Sequence, residues 1–458
     1  MLLETGMAFI RNQPTKLFSP LRWLLKGKAA LKEGLALGAH IDVSTLPYDP
    51  VVIDLIKAER SSGRTIVLAT ASHHSLADRI AEHLQLFDLV LATDADRNLS
   101  AESKRDVLVD LYGEGGFDYL GNSLDDLAVW RVSRKAYLVN PEARVEPRAR
   151  AHGNVEQVIV TNRTGFRDWL KALRLHQWMK NALIFVPLLA AHQLTNLALL
   201  WQGVLAFVFF GLCASSVYLL NDLLDLADDR HHKTKRHRPF ASGRLSIGTG
   251  IFTFPLLLAA AFGGAAILLP WSFSGTLVAY YILTLVYSLY LKRQMAVDVI
   301  ALAALYTLRI IAGAAAFGLE LTFWVLAFSM FMFMFLSLAL VKRYAELHEA
   351  RAHGRTEKTR GRGYYPADLE MISSLGASSG YLSVMVLALY IHDQATTILY
   401  SHPQVIWLAC PLLLFWVTRV WMLTHRGQMH DDPVVFAIRD RVSLVVGALF
   451  CLVFWVAA

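Results

Sequence analysis

Asn221-Asp222-Leu223-Leu224-Asp225-Leu226-Ala227-Asp228-Asp229 concentrates carboxylates at the end of an apolar run, 197–220, just before a basic stretch, 230–244. At about 100° per residue, a continuing helix places Asp222, Asp225 and Asp229 within roughly 60° of one another, with Asp228 pointing elsewhere. Like charges crowded at a membrane edge are costly unless a cation sits among them. Hard oxygen ligands of this kind suit Mg²⁺, which commonly bridges protein carboxylates to substrate phosphates. Lys233, Lys235, Arg236, Arg238 and Arg244 would then supply the cations for the rest of a diphosphate. A solvated acidic helix end is the plain alternative, and the adjoining cations argue against it.

The elements that must position these groups follow from the distribution of apolar residues. A chain of 458 residues implies two units, and 55% hydrophobic residues with a mean hydropathy of +0.41 is not the composition of a soluble enzyme throughout. The excess is uneven: residues 1–165 read as ordinary globular sequence, and residues 181–458 read as spans. Nine spans are expected, at about 181–195, 197–220, 247–269, 273–291, 295–317, 322–341, 372–391, 404–424 and 438–457. The first is short and interrupted by Pro187.

Charge then sets orientation. With the first span starting in the cytoplasm, the outward connections (near 196, 270–272, 318–321 and 392–403) contain no Lys or Arg. The inward ones hold Lys292, Arg293, Lys342, Arg343, Arg351, Arg355, Lys358, Arg360, Arg362 and Arg426 besides the cluster after Asp229. The net charge of +7 is therefore a positive-inside signature, and no nucleic-acid partner is expected. The carboxylate cluster faces the cytoplasm. Met1–Ile10 lacks the pattern of a secretory signal, so residues 1–165 are expected on the same side. Cys213, Cys410 and Cys451 lie in spans without metal-type spacing and read as small packing residues.

Ionisable groups inside or at the rim of spans mark function by default. Here they are Asp298 and Arg309, which could pair with each other as a structural bridge, and Lys342, Arg343 and Glu346. Tyr287, Tyr290, Lys292 and Arg293 form a second cytoplasmic-edge group that serves either catalysis or interfacial anchoring. Trp169, Trp178 and Trp201 suit an aromatic belt.

These residues give the chain a resemblance to the UbiA superfamily of intramembrane transferases, across about residues 166–458. The elements that carry it are Asn221-Asp222-x-x-Asp225-x-x-x-Asp229, Lys235-Arg236-His237-Arg238-Pro239-Phe240-Ala241-Ser242-Gly243 and Tyr287-Ser288-Leu289-Tyr290-Leu291-Lys292-Arg293. The family's usual second Asp-rich motif has no clear copy; Asp298 stands alone there. Arg174-Leu175-His176-Gln177-Trp178-Met179-Lys180-Asn181 and Leu340-Val341-Lys342-Arg343-Tyr344-Ala345-Glu346-Leu347 resemble the branch that transfers phosphoribose to polyprenyl phosphates.

The resemblance implies nine helices around a lipid-open cavity, with Mg²⁺ as cofactor held by Asp222, Asp225 and Asp229 and by Asn221 as a neutral oxygen ligand. It implies phosphate contacts from Lys180 and Lys342 first, and substrate or phosphate contacts from Asn221, Lys235, Arg238, Tyr287, Lys292, Arg293, Asp298, Arg309 and Arg343. Three functions stay open. The first is Mg²⁺-dependent transfer from 5-phosphoribosyl diphosphate to a polyprenyl phosphate. The second is prenyl transfer from a prenyl diphosphate to an aromatic or lipid acceptor. Transport is a third, although it predicts charges spread across the bilayer and these gather at one face.

Residues 1–150 carry a separate signal. Arg64–Thr70 reads as a buried parallel strand, Ser75–Leu84 as an amphipathic helix and Phe87–Ala92 as a further strand. Lys104 opens a helix, and Gly121-Asn122-Ser123-x-x-Asp126 follows. This order resembles the haloacid-dehalogenase-like phosphatases, an α/β Rossmann-like class. The resemblance assigns phosphate binding to Thr70 and Lys104 and metal binding to Asn122 and Asp126. The family's nucleophilic Asp-x-Asp is missing ahead of Thr70, and the first acid of the metal loop is Asn122, so a catalytically degenerate domain is expected. Asp94-Ala95-Asp96 comes after Thr70 and reads as a polar loop. Residues 151–165 are expected as the linker and Trp169–Lys180 as a basic amphipathic approach to the membrane.

Overall fold

In a computed structural model, the described residues are all except Leu17, His40, 95–96, 162–163, His192, Lys233, 320–324, 359–361, 393–399, 430–431 and Ala458. Asp96, Lys233, Arg360 and the opening of the span expected at 322–341 therefore lie outside the described residues. The chain forms two compact units. The first comprises Met1–Leu173 with Tyr218–Thr253, and the second Arg174–Val217 with Phe254–Ala458.

Among its described residues the first unit holds five strands: β1 (Val67–His73), β2 (Leu89–Thr93), β3 (Tyr119–Gly121), β4 (Ala136–Val139) and β5 (Val155–Ile159). All pairings are parallel, as the apolar strand composition predicts, with helix His74–Leu84 crossing between β1 and β2 and Val145–Arg150 between β4 and β5. The strands form two sheets, β1-β2 and β3-β4-β5, not the single sheet of a Rossmann-like fold. Residues 151–165, expected as a linker, contain β5, which completes the second sheet against β4. A strand this short with exposed charges at Glu156 hides its apolar alternation from a sequence reading. Leu108, Tyr119, Val129, Trp130, Ala136 and Leu138 make the core beneath that sheet. Trp130 is fully buried and its indole N–H donates to the Tyr119 carbonyl at 3.2 Å.

The second unit is helical. Among the described residues, six helices are long and apolar enough to cross a membrane: Leu197–Leu224, Ile247–Leu268, Trp271–Leu289, Val297–Ala316, Pro366–His392 and Pro403–His425. Two of them, Leu197–Leu224 and Ile247–Leu268, extend at one end into the first unit. The pair Pro433–Arg439 and Arg441–Ala457, bent by 81°, counts as a seventh if it is one span. The described residues thus give six or seven candidate spans where the sequence suggested nine. Residues 181–195 form no membrane-length helix: the chain runs as a 3₁₀ helix, Leu175–Phe185, and a short α-helix, Val186–Ala190. The expected sixth span corresponds to the 28-residue helix Val325–Ala352, which is not among those six.

Val325–Ala352 packs along Leu369–His392 and against Val297–Ala316. Phe335, Val341, Leu387 and Val417 sit in the shared core. Ser337 ties three helices together, donating to the Gly376 carbonyl at 2.7 Å and accepting from the Trp421 indole at 3.0 Å. Hydroxyls serve this purpose where the surroundings are too apolar to drive helix association. Outward faces are apolar as well: Ile247–Leu268 has a mean hydropathy of 2.1 with only 11% of its apolar stretch buried. Phe252, Ile267 and Trp271 project from such faces, a surface that calls for lipid.

Candidate active site

The helix Leu197–Leu224 stops one residue before Asp225, and a new helix begins at Leu226. The break is slight: the Asp225 N–H still donates to the Asn221 carbonyl at 2.8 Å, and the Asp229 N–H to the Asp225 carbonyl at 2.9 Å. The helical stripe therefore survives for Asp222 and Asp229, which are 2% and 3% exposed. Both carboxylates accept from one nitrogen of Arg238, Nη1, at 3.1 and 2.7 Å. Arg238 reaches back because the run after Asp229 coils into a 3₁₀ turn, Lys235–His237. Burial pushes the Asp229 carboxyl up to about 6, against the lowering effect of Arg238.

Asp225 leaves the stripe. It pairs with Arg11 at 3.2 Å, and Arg11 also bonds Asp228. The three-carboxylate cluster expected from the spacing is thus a buried pair plus a separate ion pair, and no metal-type group of three or more acidic, His or Cys side chains occurs among the described residues. Several cations of the basic stretch have structural partners in the same unit. Arg230 bonds Glu4, and Arg244 pairs with Asp168 at 3.1 Å. Arg11, Glu4 and Asp168 were not visible as partners because they lie far away in sequence.

The soluble part of the first unit brings Lys104 and Asp126 together. Lys104 Nζ donates to Asp126 Oδ1 at 3.1 Å and to the Tyr119 hydroxyl at 2.8 Å. Asp126 Oδ2 accepts from the Asn122 and Ser123 N–H groups at 3.0 and 3.1 Å. Burial opposes ionisation of Asp126, yet the Lys104 charge and these N–H groups hold its carboxyl below the usual value. Gly121 is required by close approach, since a Cβ there would meet Asp126 at 2.7 Å. Thr70 instead lines an open cavity of about 380 Å³ with Lys32, Ser72 and His73. Lys32 bonds the Ala71 carbonyl and Asn98, a role that no sequence pattern signalled.

In the second unit, Lys180 and Lys342 share one carboxylate oxygen. Asp432 Oδ2 accepts from Lys180 at 2.9 Å and from Lys342 at 3.3 Å. Lys180 also lies over the Tyr306 ring, 5.4 Å from its centroid. Burial works against ionisation of Asp432, but the two ammonium groups lower its carboxyl to about 2. The 3₁₀ segment carrying Lys180 sits tightly on the helix Val297–Ala316, because Gly313 has no side chain: a Cβ there would lie 2.0 Å from the Ile184 carbonyl oxygen.

Next to it, Arg309 donates to Asn181 Oδ1 at 3.0 Å and to the Tyr280 hydroxyl at 3.2 Å. The rings of Phe210, Tyr280 and Tyr306 surround its guanidinium with centroids 5.3, 5.1 and 5.5 Å away. The Asp298–Arg309 bridge that the sequence allowed is not formed. Asp298 bonds Arg343 at 2.7 Å and the Tyr364 hydroxyl, and Arg343 also bonds Glu346. Asn181 Nδ2 and Arg343 Nη2 are buried donors with no partner among the described residues. Tyr287 accepts from Arg362 at 2.9 Å, and Lys292 and Arg293 lie on the turn Leu291–Arg293. The sequence reading missed Asp432, Tyr306 and Tyr364; Asp432 precedes a proline and reads only as a helix cap.

Residues 182–442 match the UbiA prenyltransferase family. The uncharacterized protein y4nM of Sinorhizobium fredii is 37% identical, covering 97% of this chain and 86% of that protein. Nodulation protein NoeC of Azorhizobium caulinodans is also 37% identical, over 61% of this chain and 90% of its own. Decaprenyl-phosphate phosphoribosyltransferase of Mycobacterium tuberculosis is 31% identical, over 60% of this chain and 88% of its own.

Proposed function

Because the chain belongs to the UbiA prenyltransferase family of integral membrane transferases, we propose that it transfers phosphoribose from 5-phosphoribosyl diphosphate to a polyprenyl phosphate, with Mg²⁺. The observation that best supports this reading is the gathering of cations in the second unit: Lys180 and Lys342 on one carboxylate, with Arg309 bonded to Asn181, the residue after Lys180. A donor with a diphosphate and a second phosphate needs such a surplus. The likeness to decaprenyl-phosphate phosphoribosyltransferase of Mycobacterium tuberculosis supports the same choice. Prenyl transfer to an aromatic acceptor needs rings free to flank a carbocation. The rings of Phe210, Tyr280 and Tyr306 already pack around Arg309.

The residues present fit magnesium. Asp222 and Asp229 are hard, buried oxygen donors whose carboxylates converge closely enough to share one guanidinium nitrogen. With Asp225 and Asn221 they are the proposed ligands, and Arg238 is the cation that balances the pair. Magnesium, when bound there, would neutralise charge on the departing diphosphate. Lys180 and Lys342 would hold phosphate oxygens, and the unpartnered Asn181 Nδ2 would donate to an acceptor on the donor substrate. A phosphate oxygen of the lipid attacks C1 of the ribose as the bond from C1 to the diphosphate oxygen breaks. That oxygen is already anionic, so no general base is needed and positioning carries the rate.

Residues 1–150 are proposed as a degenerate haloacid-dehalogenase-like domain on the cytoplasmic side, with the Lys104–Asp126 pair as its remnant and Asn122 in place of the first acid of the metal loop. Transfer of label from phosphoribosyl diphosphate into lipid by membranes carrying the protein tests the reading. Label should appear with the wild type and be lost with Asp222→Asn. Transfer from a prenyl diphosphate instead would establish the prenyl reading.

A further inference from the structure

Asp432 stands at the start of the helix Pro433–Arg439, and its two oxygens have different tasks. Oδ1 caps the helix, accepting from the Val434 N–H at 3.1 Å, and the Tyr306 hydroxyl lies 3.5 Å away. Oδ2 faces Lys180 and Lys342. Two ammonium groups within bonding distance of the same oxygen repel each other strongly in a partly buried setting, so they converge only while that carboxylate is there. The trio carries a net charge of +1, and Lys342 and Asp432 open on a cavity of about 330 Å³ with Glu346, His348, Glu349 and Thr424 on its walls. Ala345, Gly427 and Met429 complete its walls, so the surface is mixed, and Lys342 is the lysine that lines it.

We propose that Asp432 is a positioning residue that holds Lys180 and Lys342 as a two-lysine clamp for one phosphate group of the sugar diphosphate donor. The idea rests on the phosphoribosyl reading above and goes beyond it by naming what organises the cations. A carboxylate beside a phosphate site would be a poor choice if charge alone mattered. Its value lies in fixing two long, flexible side chains before the substrate arrives, which lowers the ordering cost of binding.

The capping role allows a clean separation, because Asn and Ser cap helices about as well as Asp. Asp432→Asn therefore keeps the cap and removes the charge, and Asp432→Ser does the same should the Asn variant fold poorly. In detergent, either variant should stay folded with a cooperative transition, at a lower melting temperature because two partly buried ammonium groups lose their counter-ion. Its KM for phosphoribosyl diphosphate should rise about tenfold, with kcat within about threefold and KM for the polyprenyl phosphate unchanged. Asp432→Glu, which restores the charge, should recover most of the donor affinity. An unchanged donor KM in a folded neutral variant, or a fall in kcat alone, would overturn the positioning role while leaving the reaction standing. If the wild type moves no phosphoribose at all, the reaction reading itself fails.

Discussion

At the scale of single residues, charge pairs decide what each acidic group can do. Asp222 and Asp229 are buried beside each other, so Asp222→Asn should lower transfer at least about 100-fold while leaving membrane insertion intact, checked by activity per unit of inserted protein. Lys104 and Asp126 make the opposite case, a structural pair. Asp126→Asn leaves a buried ammonium without its counter-ion and should cost about 3–5 kcal/mol, measured by denaturation of the full chain. The Asp126 carboxyl titrates below its ordinary value of 3.8 in the folded protein. Its stabilising effect is therefore complete above that value and is lost as pH falls through the lower folded one. Acid should loosen the first unit of the wild type through this step, and the Asn variant should lack it. Residue types and spacing made Asp222, Asp229, Lys180 and Lys342 legible in the sequence. The departure of Asp225 was not legible, because Arg11 competes for it from the far end of the chain.

At the scale of elements, periodicity located the helices well and misjudged the one that matters most for Lys180. Residues 181–195 are apolar enough to suggest a span, but a 3₁₀ helix, Leu175–Phe185, takes the place of its first third. Pro187 starts the short helix that follows. Only the contact with Gly313 explains why this segment lies so close to the helix Val297–Ala316, and a glycine in an apolar run gives no such signal. Gly313→Val should push the segment away, lowering the melting temperature by overpacking worth about 1–3 kcal/mol and reducing donor affinity through Lys180. Thermal denaturation in detergent alongside the donor KM checks both. The strand Val155–Ile159 shows the same limit in the first unit: its place is set by pairing with β4, which no local pattern reveals.

At the scale of the whole molecule, charge asymmetry and exposed apolar faces argue for a bilayer. Within the first unit, Arg11, Glu4 and Asp168 are ion-paired to Asp225, Arg230 and Arg244, so the chain before Leu173 and the basic stretch lie on one side of the membrane. With Leu197–Leu224 as a candidate span, we propose that the residues between cross back, as the expected first span would. Eleven residues of 3₁₀ helix and five of α-helix would rise about 30 Å, close to the hydrocarbon thickness. Single cysteines at Asn12 and Arg236 should then be labelled from one face and one at Asn196 from the other. Labelling of Asn12 and Asn196 from the same face would contradict this path.

The lipid product itself tests the central proposal most directly. Purified protein supplied with a polyprenyl phosphate, 5-phosphoribosyl diphosphate and Mg²⁺ should yield a lipid heavier by one phosphoribosyl group, with one diphosphate released per lipid formed. A lipid of unchanged mass under these conditions, with a prenyl group instead moved from a prenyl diphosphate to another acceptor, would contradict it.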